Sequence, residues 1–167
     1  MPRSTGRDSS NFVSFSRYFL ATASLTSGLA LFACGKPEQS GTSPQLASSG
    51  SVEVTAALTE IPGTLPDDPL YNYVYVMKYH VLKVHRGTIA TPDIFVGHYN
   101  PLKPRSTVAD EQSGPIGGRL VRFRVGDVHR MALAEPLDEN WMGGTIDLNF
   151  RSPGVRYWAI WTDPAPP

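Results

Sequence analysis

The sequence predicts an all-β fold, a small barrel or sandwich of five to seven strands, on three observations. The 167 residues include 15 glycines and 15 prolines, a share of helix breakers that disfavours a helical bundle. Short runs rich in β-branched and aromatic residues, separated by turn residues, follow one another from residue 51 onwards. No segment has the periodicity of an amphipathic helix or of a heptad repeat.

The strongest strand signal is residues 71–84, "YNYVYVMKYHVLKV". Both faces of this run are largely apolar, which predicts a central strand or a strand bent into a barrel. Residues 100–118 form a long polar loop, where we expect a flexible insertion. Further strands are predicted at residues 51–60, 93–99, 128–134, 145–150 and 156–161, and the run 119–125 leads into the third of these through a turn at Gly126 and Asp127.

The first 33 residues have the pattern of a secretory signal peptide. Residues 1–17 contain three arginines and one acid, and residues 18–33 form an apolar run without a charge. The alternative is a transmembrane anchor, which requires about 20 apolar residues. The observed run is shorter and is diluted by serine and threonine, so we expect an export signal over residues 1–33.

The only cysteine of the chain, Cys34, follows this apolar run directly. The sequence Leu31-Phe32-Ala33-Cys34 resembles the lipobox of bacterial lipoproteins, although Phe32 stands where a small residue is commoner. The resemblance implies cleavage before Cys34, attachment of diacylglycerol to its thiol, and acylation of the new N-terminus. Membrane lipid would then be the partner of Cys34, and Gly35 implies the outer membrane, facing the periplasm or the cell surface. The alternative is an incidental cysteine.

The rest of the chain divides into three parts. Residues 34–50 are rich in Ser, Gly, Pro and Gln and have too few apolar side chains to offset the entropy of ordering, which predicts a lipidated flexible tether. The β-barrel domain is expected over residues 51–163, and a disordered tail over residues 164–167.

Charge and composition exclude some classes of partner. The chain has 15 basic and 15 acidic side chains, so its formal net charge is zero, and nothing predicts a nucleic-acid surface. A single cysteine cannot form an internal disulfide, so the domain depends on its core for stability. The glycine-rich stretches lack the lysine of a phosphate-binding loop, and no cofactor is expected.

Residues 59–99, beginning "TEIPGTLPDDPLYNYVYV", are similar to an exported bacterial β-barrel module. The similarity continues in "FRVGD" at residues 123–127 and in Tyr157-Trp158, and it spans roughly residues 52–162. Such modules are associated with alginate-acetylation-like and SGNH-type systems for cell-surface polysaccharides. The resemblance implies an OB-like barrel and a role beside such a system.

Three histidines are candidates for a different function, metal binding or hydrolysis. His80, His98 and His129 lie on separate predicted strands, and their convergence would make a metal-binding or hydrolytic site. No two of them have a spacing that places both on one face, so partly buried structural histidines are the other interpretation. The common hydrolase motifs G-x-S-x-G, S-x-x-K and H-E-x-x-H are absent from the sequence, which makes an enzyme the less favoured reading.

Aromatic side chains are the candidate binding residues. Exposed rings can stack on sugars or pack on partner proteins, and OB-like barrels bind oligomers on one sheet face. The alternative is that these rings fill the core, since a small domain needs large buried side chains. The candidates are Tyr99, Trp141, Tyr157, Trp158 and Trp161.

The function expected from the sequence is a non-catalytic binding or adaptor module, anchored by lipid in the cell envelope. It would contact a glycan or a partner protein of a polysaccharide system. The alternatives are a metal-binding or hydrolytic periplasmic protein that uses the histidines, and a purely structural lipoprotein scaffold.

Overall fold

The computed structural model describes residues 48–166. The predicted signal peptide, Cys34 and most of the predicted tether lie outside the described residues. Within residues 48–166, no helix is both long enough and apolar enough to cross a membrane.

Six strands form one sheet: β1 (Val52–Glu60), β2 (Val74–Arg86), β3 (Asp93–Tyr99), β4 (Val128–Ala134), β5 (Thr145–Ile146) and β6 (Arg156–Pro164). The order of neighbours is β1-β4-β6-β3-β2-β5, and β1 also pairs with β2. Five strands therefore close into a barrel, and β5 is attached to β2 outside it. The β3–β6 and β2–β5 pairs are parallel. The predicted all-β fold is confirmed, and it is a barrel and not a sandwich.

Strand β2 is apolar on both faces because it borders two hydrophobic clusters. Tyr75, Met77 and Tyr79 point into the barrel, where they pack with residues such as Leu58, Val96 and Leu133. Val74 and Val76 point outward and are covered by a second cluster. The alternation predicted for this strand is therefore confirmed.

The second cluster lies on the outer face of β2, β3 and β6. Its cover comes from the loop after β3 and from a one-turn helix, α1 (Leu137–Asn140). Gly97 in β3 lies so close to Leu137 that a Cβ atom there would be 2.9 Å from the leucine Cδ1. OB-like barrels often bind oligomers on this face of strands β2 and β3, but here the chain itself covers it.

The loop 100–118 is not the flexible insertion that we expected. Val108 and Ile116 are buried in the second cluster, and a 3-10 turn at Arg105–Thr107 buries Arg105. The loop ends against β6, where Gly117 N donates to Ile160 O at 2.8 Å and Thr162 N donates to Gly117 O at 3.0 Å. These bonds pair backbone N–H and C=O groups of β6 that have no partner on β3.

Three boundaries differ from the prediction. The run 119–125 is irregular, because its backbone makes no ladder within the described residues. Of residues 145–150 only the first two form a strand, since Asp147 accepts a hydrogen bond from Asn149 N at 2.8 Å and turns the chain. At the other end, β6 reaches Pro164 and Ala165 N donates to Val128 O at 2.9 Å, so the fold extends beyond residue 163.

Candidate functional site

All five aromatic side chains that the sequence offered as binding residues are buried. Their exposed fractions are 0 % for Tyr99, 8 % for Trp141, 4 % for Tyr157 and Trp158, and 5 % for Trp161. None of the five candidates forms an exposed binding platform, and the interpretation that such rings fill the core describes all of them. The physical reason is that this small domain fills two clusters, inside and outside the barrel, and four of these rings belong to them.

Trp141 illustrates why no sugar can stack on these rings. Its ring lies parallel to Trp158 with 5.9 Å between centroids, and the Tyr99 ring is 4.9 Å away at 59°. A Cβ atom on Gly143 would overlap the same ring, so the backbone also approaches closely there. The indole Nε1 donates to Gly144 O at 3.1 Å, which fixes the ring further.

An open groove of about 640 Å³ lies beside this tryptophan. This volume falls in the range of ligand-binding pockets, roughly 300–1,000 Å³. Met142, which lines it, has 92 % of its surface exposed, and Val155, which also lines it, is 45 % exposed. The groove is lined by Pro136, Leu137, Asp138, Trp141, Met142, Gly143, Thr145, Val155 and Arg156.

Arg156 lines the groove and also anchors the turn that follows β5. Its Nε donates to Asp147 Oδ2 at 2.9 Å, and its other nitrogens donate to the carbonyl oxygens of Asn149, Ser152 and Gly154. The guanidinium also lies 4.5 Å from the centre of the Phe95 ring. One side chain thus ties the turn between β5 and β6 to the barrel, and the same bonds hold Arg156 in place where it lines the groove.

Two of the three candidate histidines meet inside the barrel. The hydroxyl of Tyr79 on β2 lies 3.0 Å from Nε2 of His98 on β3 and 3.1 Å from Nδ1 of His129 on β4. His80 is not part of this cluster: it lies on the outer face, with Nδ1 2.8 Å from Asp93 Oδ1. No sequence spacing could show this convergence, because it depends on how three strands are arranged around the barrel.

Burial keeps both interior histidines neutral. It lowers the pKa of His98 well below its usual value, and the nearby Arg105 cation lowers it further. Burial lowers the pKa of His129 to about 4, and Asp127 only partly opposes this. One nitrogen of each ring, His98 Nδ1 and His129 Nε2, has no hydrogen-bond partner among the described residues.

A buried cation lies beside the histidines. Arg105 is 4 % exposed, and its Nη atoms donate to the carbonyl oxygens of Tyr99, Asn100 and Lys103 at 2.6 to 2.8 Å. Within the described part of the chain no carboxylate forms an ion pair with it, and burial lowers its pKa to about 10. No pattern in the sequence distinguishes this residue, because it falls in a polar loop.

The interior cluster, defined as Tyr79, His98, His129 and Arg105, is closed to solvent. Among residues 48–166, no three side chains of His, Cys, Asp or Glu converge as ligands of a metal ion. Two imidazoles that share one hydroxyl can respond to a proton, whereas a substrate has no access to them in this conformation. The groove beside Trp141 is therefore the candidate binding site.

Comparison of the chain with protein-family models, with curated proteins and with solved structures finds no match.

Proposed function

We propose that this protein is a non-catalytic adaptor, anchored by lipid at Cys34 in a bacterial envelope, and that it binds a segment of a partner protein in the groove beside Trp141. The observation that supports the proposal is the groove itself, about 640 Å³ in volume, which is lined by apolar side chains together with Asp138, Thr145 and an anchored Arg156.

A protein segment suits the groove better than a glycan does. The tryptophan that lines it is enclosed by Trp158, Tyr99 and Gly143 and so offers no face for a sugar ring. Two of the side chains that line it are apolar and exposed, Met142 at 92 % and Val155 at 45 %. Exposed apolar side chains grouped around a concave surface are typical of protein–protein contact sites.

The anchor would keep the groove close to a membrane. Residues 35–50 separate Cys34 from the barrel, and a flexible chain of this length reaches on the order of 20 Å. Several acyl chains on one residue hold a protein at a bilayer much more firmly than a single chain does. Partners in a cell-surface polysaccharide system fit this placement and the resemblance of residues 52–162 to modules of such systems.

The groove is tested by site-specific photo-crosslinking of the full chain in cells. A photoreactive amino acid in place of Met142 should give a discrete crosslinked protein, since this exposed side chain lines the groove. The matched control is the same amino acid in place of Val125, an apolar residue that is 58 % exposed and outside the groove. Thr145→Trp, which fills the groove, should abolish the product at position 142. Equal products at both positions, or one that survives Thr145→Trp, would contradict the proposal.

The anchor is tested separately with Cys34→Ser. We expect the full chain to fractionate with membranes and the variant to fractionate with soluble proteins, because the acceptor of the lipid is lost. Cys34→Ala serves as a second variant. Membrane association of both variants would remove the lipid anchor from the proposal while leaving the groove untouched.

A further inference from the structure

The segment 121–125 lies over the interior cluster, and among residues 48–166 its backbone is hydrogen-bonded only near its ends. Before it, Leu120 N donates to Thr162 O at 3.2 Å, and after it, Gly126 N donates to Leu58 O at 2.8 Å. Between these points the side chains of Val121, Arg122, Arg124 and Val125 are exposed. Phe123 is the one side chain of this segment that packs against the barrel core.

The Phe123 ring closes the interior cluster. Its centre lies 4.4 Å from that of the His98 ring and 5.7 Å from that of the His129 ring, and the Arg105 guanidinium is 5.3 Å away. The ring therefore covers two imidazoles that each carry an unpartnered nitrogen, and a cation that has no acid beside it. Water would satisfy these groups if the ring moved away.

We propose that residues 121–125 form a lid that closes on the Tyr79, His98, His129 and Arg105 cluster at neutral pH and opens when the pH falls. On opening, the packing contacts of the Phe123 ring are lost, and the buried nitrogens gain hydrogen bonds to water. The lid would thus expose a cationic chamber under acid conditions.

The charges around the cluster favour opening on protonation. Strand β2 contributes the neutral hydroxyl of Tyr79, strand β3 His98, strand β4 His129, and the 3-10 turn Arg105. The acid that acts on the cluster is Asp127. Its charge raises the pKa of His129 but offsets only part of the lowering that burial causes. A proton on either imidazole therefore adds a second positive charge next to Arg105 in a medium of low dielectric constant.

Linkage gives the direction and size of the effect. The pKa of His129 is about 4 in the closed state and would return towards about 6.5 once the ring is hydrated. The free-energy advantage of the closed state over the open state is therefore complete above about pH 6.5 and decreases as the pH falls towards 4. The closed-to-open ratio falls by up to about tenfold per pH unit. His98, whose pKa is lowered as well, acts in the same direction.

The lid should open before the barrel unfolds. Segment 121–125 is held by one half-buried ring, whereas β1 to β4 and β6 are joined by continuous ladders around the barrel. Segments with few buried contacts open at lower free energy than the core of the same domain.

The test uses fluorine NMR of the full chain in detergent micelles, with 4-fluorophenylalanine incorporated only at Phe123. We expect one signal from a packed ring at about pH 7.5, and a second signal at the solvent position that grows below about pH 6.5. The circular dichroism of the barrel should remain unchanged over the range in which the second signal appears. A single packed signal down to about pH 4.5, or a second signal that appears only as the barrel unfolds, would overturn the lid.

Variants identify the groups that drive the opening. His129→Leu removes one of the two titrating rings, so the growth of the second signal should become less steep and shift to lower pH. His80→Gln is the matched control, because His80 lies on the outer face beside Asp93 and should leave the curve unchanged. If His80→Gln changes the curve as much as His129→Leu, the interior cluster is not the sensor. If His129→Leu does not fold, the titration of the native chain alone decides.

Discussion

Replacement of Gly118 by alanine should destabilise the domain by about 4 kcal/mol, from backbone strain and steric overlap together. Gly118 has a φ of +126°, a conformation that residues with a Cβ atom rarely adopt. A Cβ atom there would also overlap the carbonyl oxygen of Thr162 and approach its nitrogen to 2.7 Å. Because Thr162 O accepts the hydrogen bond of Leu120 N, the overlap would separate the loop from β6.

Gly114→Ala is the matched control for this prediction. Gly114 also has a positive φ, +63°, but no atom lies within 4 Å of the position of its Cβ. Its replacement should therefore cost only the conformational strain, about 1 kcal/mol. The measurement is urea denaturation of each full-length variant, with the free energy of unfolding extrapolated to water. Equal losses for the two variants would show that the close approach to Thr162 contributes nothing to stability.

Tyr79→Phe should destabilise the domain by about 3 kcal/mol, because the tyrosine hydroxyl serves both interior histidines. One imidazole nitrogen must donate a proton to this oxygen, and the other must accept the hydroxyl proton. Without the hydroxyl, a donor on one ring and an acceptor on the other remain buried without partners, in addition to His98 Nδ1 and His129 Nε2.

The control for this prediction is Tyr71→Phe. Tyr71 is 70 % exposed, and loss of its hydroxyl should change the free energy of unfolding by less than about 0.5 kcal/mol. Both variants are compared by urea denaturation at neutral pH, where the interior histidines are neutral. A loss below about 1 kcal/mol for Tyr79→Phe would indicate that other groups satisfy the imidazoles, and it would weaken the basis for the proposed lid.

The two proposals are independent of each other. The groove depends on Arg156, Trp141 and the turn after β4, whereas the lid depends on Phe123 and on side chains inside the barrel. Failure of the crosslinking test would remove the proposed function without affecting the fluorine titration. Success of both would describe an envelope adaptor with a separate response to acid.

Strand β2 shows how far the sequence could predict the fold. Its alternation, with apolar side chains on both faces, is a local property of the chain. The structure confirms two covered faces over residues 74–79, whereas Leu82 and Val84 farther along the strand are exposed. The strands β1, β3, β4 and β6 were found for the same reason. In the run 119–125, apolar and basic residues alternate as in a half-buried strand, yet among the described residues no strand pairs with it.

The sequence by itself determined the all-β class and the approximate strands. It also contains the one cysteine and the apolar run from which we propose export and lipidation. These features are encoded in periodicity and in order along the chain, and no distant contact is needed to see them. Closure of the barrel determined which candidate site residues lie together and which of them are buried. It brought His98 and His129 onto Tyr79, moved His80 away from them, and buried the aromatic rings that the sequence left open to either interpretation. Burial and convergence are properties of pairs of residues far apart in the chain, so only the tertiary structure could set them.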